Sequence, residues 1–550
     1  MKVQNTQQTN IQKAPQFKGA IDGAFRFLAT NQGIGANLTD LTFMVTPRVV
    51  TDAKRGPAAC VETARRETSG TANHSLIGLY GAFSGMLLAP LMGIDREFGT
   101  KVNKLFTAPD TIKILAENKA NQIKDSKSQF DYLFETFSNL KAYNPTSKTK
   151  NIDKDGFVKL SDKTVKEISS IINDSLSKGI KYDNWQNIKT SNSLQVVMNK
   201  ILEDTGAETK YILTSPDEKT KSTTALKTLL QDIYKVSESF NKEKVNEAFV
   251  NQVKNGKSIK ENIYINKLSK FMKTRAGAGV LIGTAIGMSI QPLNIYLTKL
   301  KTGSDGFVGG EGRTKDNSAG FKALKAGASL GFLGITLATL GTGIKGFMDK
   351  MAFKGLMPTI NQLKGIYGLT IISRLLAARD KDELRESLTK DTLGFLSWLV
   401  LGDIVNKLTA TALDDKTNTV LNSTEKEAKG LWQNIKRAFK STLKTRDEVL
   451  IETLASNGIK TVKTDGDKVI AKTFKEMLKD LDKLPEQARM SAKKRLGTLN
   501  TAQFAGYAFS GLVLGLGIPN LNIYITNKLD KKRKAKLAEQ NSKQTQVTKA

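Results

Sequence analysis

The stretch Ala508-Phe-Ser-Gly511-Leu-Val-Leu-Gly515-Leu-Gly-Ile-Pro519, which continues to Asn527-Lys528-Leu529, decides how this chain is read. It is uncharged and glycine-rich, is interrupted by a helix breaker and closes on a cation. The pattern recurs. Ala82-Phe-Ser-Gly85 leads to Pro90 and ends at Asn103-Lys104-Leu105. Gly283-x-x-x-Gly287 leads to Pro292 and ends at Thr298-Lys299-Leu300. A shorter version from Ser397 to Gly402 meets Asp403 and ends at Asn406-Lys407-Leu408. Small residues four apart let helix backbones approach closely, as they do in lipid. Gly85, Gly283, Gly287, Gly511 and Gly515 are therefore expected at helix contacts, and faces of this kind could also join copies of the chain in a homo-oligomer. On the same reasoning Gly283→Leu or Gly511→Leu disturbs packing, whereas Gly309, in a connecting loop, tolerates the change.

Length supports a membrane. Residues 75–94 hold no charge, and neither do 276–298, 326–344 or most of 496–527; about twenty apolar residues cross a hydrocarbon core. The run at 393–402 is too short and is expected to be re-entrant, interfacial or buried. Short loops rich in Lys and Arg stay cytoplasmic. With four spans, the N-terminal region, the basic loop 299–325 and the tail from Lys528 share that side. The polar N-terminus has no apolar h-region, so no cleavable signal is expected.

Composition narrows the partners. The 550 residues carry 84 Lys+Arg against 53 Asp+Glu, a net charge of +31, which favours an anionic partner. Uncharged runs point to membrane lipids, anionic ones in particular, rather than nucleic acid, for which no zinc finger, aromatic RNA-binding signature or helix-turn-helix is legible. Cys60 and His74 are the only residues of their kinds, which excludes a disulfide within the chain and a two-histidine zinc site. His74 reads as a polar residue at the entrance to the first apolar run, and Cys60 as a small buried hydrophobe.

The expected fold is mainly α: a membrane-associated bundle of Gly-rich helices with two Lys-rich helical regions outside it and one small β-hairpin. Its divisions are 1–73, an N-terminal tail and amphipathic region; 74–100, the first apolar helix; 101–275, a Lys-rich helical region; 276–345, an apolar hairpin; 346–495, a helical region with the short apolar run; and 496–550, the last apolar helix and basic tail. Apolar residues recur at helical spacing around Phe130, Val165 and Leu226. Residues 144–151 and 216–223 read as loops. The β-hairpin joins Ile459–Val462 to Val469-Ile470.

Two local motifs suggest binding. Asn151, Asp153, Asp155 and Asp162 stand at positions 1, 3, 5 and 12 of an EF-hand-like calcium loop, with Gly156 at position 6. Asp in place of Glu at position 12, and Pro145 between the loop and the preceding helical pattern, favour an Asx-turn that caps the next helix. From Leu431 to Arg446, Leu431, Trp432, Ile435, Phe439 and Leu443 form one helical face and Lys436, Arg437, Lys440 and Lys444 the other. That is the composition of a helix lying among lipid headgroups.

The function expected first is structural or scaffolding, without a catalytic set and with no cofactor beyond that calcium. Transport or pore formation comes second, because the four long runs carry no acid of the kind that marks a transport pathway; Asp403 is the nearest. A soluble interaction protein with Gly-rich core helices comes third.

Overall fold

The computed structural model describes residues 19–54, 56–147, 152–303, 315–353, 358–414, 419–423, 430–525, 528–529, 531 and 535. Asn151, Gly309 and most of the basic tail lie outside them. The chain is mainly helical, with small sheets, and crosses repeatedly between the two ends of a bundle.

α1 (Gly19–Thr30), α2 (Gln32–Thr39), a π turn (Asp40–Val45) and α3 (Thr46–Ala53) make the first leg. Pro57 opens α4 (Pro57–Ser75), which bends by 51° into α5 (Ile77–Leu91). At 1.5 Å per residue, the 15 residues of α5 fall short of a hydrocarbon core. The expected first span is therefore only the second half of a bent pair.

The chain then builds a folded domain: α6 (Ile94–Phe98), α7 (Pro109–Lys124), α8 (Gln129–Ser138), β1 (Leu140–Tyr143), β2 (Phe157–Lys159), α9 (Asp162–Ser177), α10 (Tyr182–Trp185), α11 (Leu194–Thr205), β3 (Tyr211–Thr214), β4 (Lys221–Thr224), α12 (Leu226–Phe240) and α13 (Glu243–Lys254). Its antiparallel sheet has the order β2-β1-β3-β4. Residues 221–223, expected in a loop, are strand because Ile212 and Leu213 of β3 pair with Thr223 and Ser222.

Four bundle helices follow. α14 (Ile263–Thr302) begins with Tyr264, Leu268 and Phe271 in the domain core and ends far from it. α15 (Ala319–Leu340) returns; after α16 (Ile344–Lys350), α17 (Ile360–Ala377) descends parallel to α14 and packs against both, so α14 and α15 are not a simple hairpin. Thr359 and Gln362 cap α17 reciprocally. α18 (Lys381–Leu396), a π turn (Ser397–Leu401) and α19 (Gly402–Leu413) form one helical path of 33 residues. The short apolar run at 393–402 thus lies inside a helix long enough to span, because amphipathic turns extend it on both sides.

The rest of the domain is β5 (Leu421–Asn422), α20 (Leu431–Lys440), β6 (Thr442–Leu443), α21 (Arg446–Ser456), the expected hairpin as β7 (Val462–Asp465) and β8 (Lys468–Ala471), and α22 (Phe474–Asp480). α23 (Glu486–Leu512) passes from the domain core through a third π turn (Val513–Gly517) and on to Ile525.

Four helices are long and apolar enough to cross a membrane, or five if the bent α4–α5 pair counts as one. Side-chain contacts fix how the legs run. Asn500 donates to Asp22 near the domain, whereas Pro47 packs by Gly515 at the other end. Arg65 donates to Asn294 and Thr298, whereas Gly85 faces Arg275. α1 therefore starts at the domain end and α23 leaves from the opposite one.

Candidate functional site: a charge network inside the apolar bundle

The most unusual chemistry lies where the sequence reading expected none. Glu67 of α4 is buried, and its carboxylate meets three cations from three elements. Arg48 Nη1 of α3 is 2.8 Å from Oε2, while Arg66 Nη2 and Lys390 Nζ of α18 are 3.3 and 3.6 Å from Oε1. Beside it, Arg374 Nη1 of α17 is 3.2 Å from Asp391 Oδ1 of α18, and both side chains are buried. Gly70 leaves room for this guanidinium: a Cβ there would lie 3.2 Å from Arg374 Nη2.

One helical turn further on, Asp40 sits in the first π turn. Its Oδ2 accepts from Thr71 Oγ1 at 2.5 Å and lies 3.4 Å from His74 Nε2. The His74 ring packs against Tyr367 and Trp398, at centroid distances of 5.4 and 5.1 Å, and Trp398 Nε1 donates to the Ala36 carbonyl. Asp40 Oδ1, Asp391 Oδ2 and His74 Nδ1 are buried without a hydrogen-bond partner. The three π turns meet here, with Met44 and Leu514 in one apolar cluster with Trp398. Isolated π turns widen a helix by one residue and are frequent at functional sites.

Burying a charge costs several kcal/mol unless it is paired. The network satisfies that condition by drawing its members from the polar legs α2–α4, α17 and α18, around which α5, α14, α15 and α23 place apolar surface. Hydropathy reads the covering helices and passes over the covered ones. The four long runs hold no acid, but the legs they cover do: Asp40, Glu67 and Asp391 are buried in the bundle. Arg374 is buried too. Asp403, the acid expected nearest to a transport pathway, is exposed and pairs with Lys407 one turn on, at 2.7 Å. Cys60 is half-buried.

The expected site residues lie elsewhere. Gly85 faces the Arg275 side chain, Gly283 packs against Ile77 and Ile366, and Gly287 against Thr370 and Asn73. Gly511 and Gly515 face Phe43 and Pro47 of the first leg rather than a second glycine helix. Close backbone crossings also involve pairs not singled out: Gly81 with Gly279, and Gly402 with Gly506.

In the EF-hand-like segment, Asp153 Oδ1 accepts from the backbone N–H groups of Asp155 and Phe157, at 3.1 and 2.9 Å, and Lys141 Nζ is 3.4 Å from Oδ2. Asp162 starts α9, which Ser161 caps. Among the described residues no three His, Cys, Asp or Glu converge as metal ligands.

The basic amphipathic helix stops at Lys440, because Thr442 and Leu443 pair with β5. Lys436 and Lys440 are exposed, but Arg437 is buried by Ser423, and Lys444 is buried with its amine 3.0 Å from Glu452. Neither of those two faces lipid or solvent. The apolar residues do: Trp432 is 78% exposed, and Leu431 and Phe439 are exposed as well.

No protein-family model matches this chain, and no curated protein or solved structure matches it significantly.

Proposed function

We propose that this is an integral membrane protein with a structural role, in which the helical bundle anchors a large folded domain and holds it rigidly at one face of the bilayer. The observation that carries the reading is the shared core: α14, α19 and α23 run from the bundle into the domain, placing Tyr264, Leu268, Phe271, Ala410, Leu496 and Leu499 in one apolar cluster. Helices continuous through both parts resist hinge motion between them. The closed network around Glu67 adds specificity, since partners from three legs meet at one carboxylate. Membrane lipids are the first partner. The exposed Leu431, Trp432 and Phe439 of α20, with Lys436 and Lys440, suit the headgroup layer.

Fractionation tests the reading. The expressed chain is expected to stay in the membrane pellet through high-salt and alkaline carbonate washes. Release by salt would reduce it to a peripheral protein, and recovery in the soluble fraction would make the apolar legs the core of a soluble one.

A second reading, transport of a proton or cation, is favoured by one specific feature: Asp40 and His74 are buried side by side with unpartnered atoms where three π turns meet. Intramembrane ionisable groups of this kind commonly mark a pathway. In proteoliposomes, proton flux lost in Asp40→Asn would favour transport, whereas equal and negligible flux in both proteins would leave the structural role.

A further inference from the structure

A second polar feature sits where α14 leaves the domain core and enters the bundle. A cavity of about 400 Å³ opens there, lined by Thr107, Lys273, Arg275, Lys345, Met348 and Phe353 among others. Its position is set by the core itself: Met272 packs in the domain cluster, and Ala276, one turn on, packs in a bundle cluster. This is the level at which a bilayer has its headgroups if the bundle spans it, and the inference rests on that reading.

The cavity has a polar end and an apolar end. Arg275 is 1% exposed. Its Nε donates to the Gly81 carbonyl at 2.9 Å, its Nη1 donates to the Leu105 carbonyl, and its guanidinium stacks 4.1 Å over the Phe106 ring. Its Nη2 has no partner, and neither has the buried Oγ1 of Thr107. No carboxylate of the described residues lines the cavity, while the exposed Lys273 and Lys345 stand at its walls. Met348, Ala352 and Phe353 supply apolar surface. A fixed guanidinium donor, a hydroxyl and two mobile ammonium groups beside apolar side chains are what a phosphate ester joined to acyl chains requires. Two carbonyls hold Arg275 in place, so its unpartnered Nη2 is preorganised.

The geometry points to a binding site for the phosphate oxyanion of an anionic phospholipid, with Arg275 and Thr107 as fixed donors, Lys273 and Lys345 as closing cations, and the chains lying along Met348 and Phe353.

The test uses the full chain purified in neutral detergent, with lipid binding followed by native mass spectrometry and thermal shift. The probes are phosphatidylglycerol, phosphatidylcholine and inorganic phosphate. Phosphatidylglycerol is expected to bind at least about tenfold more tightly than phosphatidylcholine, and inorganic phosphate is expected to give no shift. Lys273→Gln with Lys345→Gln should remove most of that tenfold preference, since cations near an anionic headgroup supply the attraction. Thr107→Val, nearly isosteric, should weaken it further. The same charge change at Lys163 and Lys166, exposed on α9, should leave it intact. Equal binding of the two lipids, or a preference that survives the Lys273/Lys345 change, would overturn the site while carbonate-resistant insertion still stood. An equal shift from inorganic phosphate would overturn the lipid as its source. Release of the chain by carbonate would overturn both the membrane reading and the site.

Discussion

The bundle and the domain solve the burial problem in opposite ways. The domain buries its apolar residues (Ile112, Phe137, Trp185, Tyr211 and Phe249 among them) and leaves most of its described Lys outside the core, Lys119 and Lys444 being buried exceptions. The bundle buries Arg48, Glu67, Arg374 and Asp391 and exposes Leu87, Leu91, Leu281, Leu330, Leu512 and Leu516. Scattered exposed Leu is ordinary, but large apolar residues exposed along leg after leg are not. In water the bundle would be an inverted protein. In lipid it is a normal one, because lipid supplies the apolar contact and the interior is where charges can find each other. The boundary between the two regimes falls within single helices, between Met272 and Ala276 on α14.

The largest effect should come from breaking a pair inside the inverted region. Asp391→Leu leaves the Arg374 guanidinium buried without its carboxylate, and removing one partner of a buried pair typically costs about 3–5 kcal/mol. Arg374→Met combined with Asp391→Leu should recover most of that loss, because a buried pair replaced by apolar residues is often neutral. The corresponding change in the domain, Asp174→Asn at the exposed pair with Lys178, should cost about 0.5 kcal/mol or less. Denaturation in detergent of all three variants reads the contrast. Similar losses for Asp391→Leu and Asp174→Asn would mean that water reaches Arg374 and that the bundle interior is not dry.

Glycine packing comes next. A Cβ on Gly506 would lie 2.7 Å from the Gly402 carbonyl, whereas one on Gly331 of α15 would meet nothing within 4 Å. Gly506→Leu should separate α19 from α23 and lower stability by roughly 2 kcal/mol or more, given that overpacking commonly costs about 1–3. Gly331→Leu should be silent in the monomer. If Gly331→Leu instead alters the oligomeric state seen by light scattering, the outer face of α15 joins copies of the chain.

Legibility follows the same divide. The Gly-rich runs, the β7–β8 hairpin and the helical content could be read because their signals are local: uncharged length, period, turn residues. The polar legs could not, because α4, with Arg65, Arg66, Glu67 and His74 inside three turns, reads as a surface helix until α18 and α3 are placed against it. The site was invisible for that reason. Arg48, Glu67 and Lys390 are far apart in the chain, and nothing in their local sequence says that they meet. The strands β3 and β4 were missed for a similar reason, since a Lys-Ser-Thr-Thr segment becomes a strand only beside Tyr211–Thr214.

The domain has a carboxyl pair of its own, buried Glu448 and half-buried Glu208. Glu448 Oε2 accepts from the Thr445 N–H at 2.6 Å, and Oε1 accepts from the Glu208 N–H; Glu208 Oε2 in turn accepts from Thr445 Oγ1 at 2.8 Å. Burial lifts both carboxyls, with Asp447 adding to Glu208 and Glu208 adding to Glu448, to about 7 and about 8. An acid whose pKa is raised on folding holds its proton longer in the folded state, so stability falls as pH rises from the unfolded value near ~4.3 through the folded one. The domain should therefore lose stability between about pH 5 and pH 8. Glu448→Gln keeps the capping acceptor and removes one ionisation, so it should raise stability at pH 8.5 by an amount on the order of 1–2 kcal/mol, read as a higher melting temperature, and change little at pH 5. Parallel melting curves for the two proteins across that range would contradict the pairing.

The smallest effect is expected at the EF-hand-like segment, where the domain again behaves like an ordinary soluble fold. Asp153 Oδ1 already receives two backbone N–H groups, and Lys141 stands beside Oδ2. A calcium ion would have to compete with both, and among the described residues Asp153, Asp155 and Asp162 do not converge as ligands. Asp153→Asn retains Oδ1 as the acceptor of the turn and discards a charge that calcium would require, so the two roles separate at one atom. The turn predicts a change of about 0.5 kcal/mol or less and a melting temperature that is the same in calcium and in EDTA. A metal site predicts a clear calcium-dependent rise in the native protein that Asp153→Asn abolishes. Because Oδ1 serves the backbone in one case and the ion in the other, a single pair of melting curves assigns it.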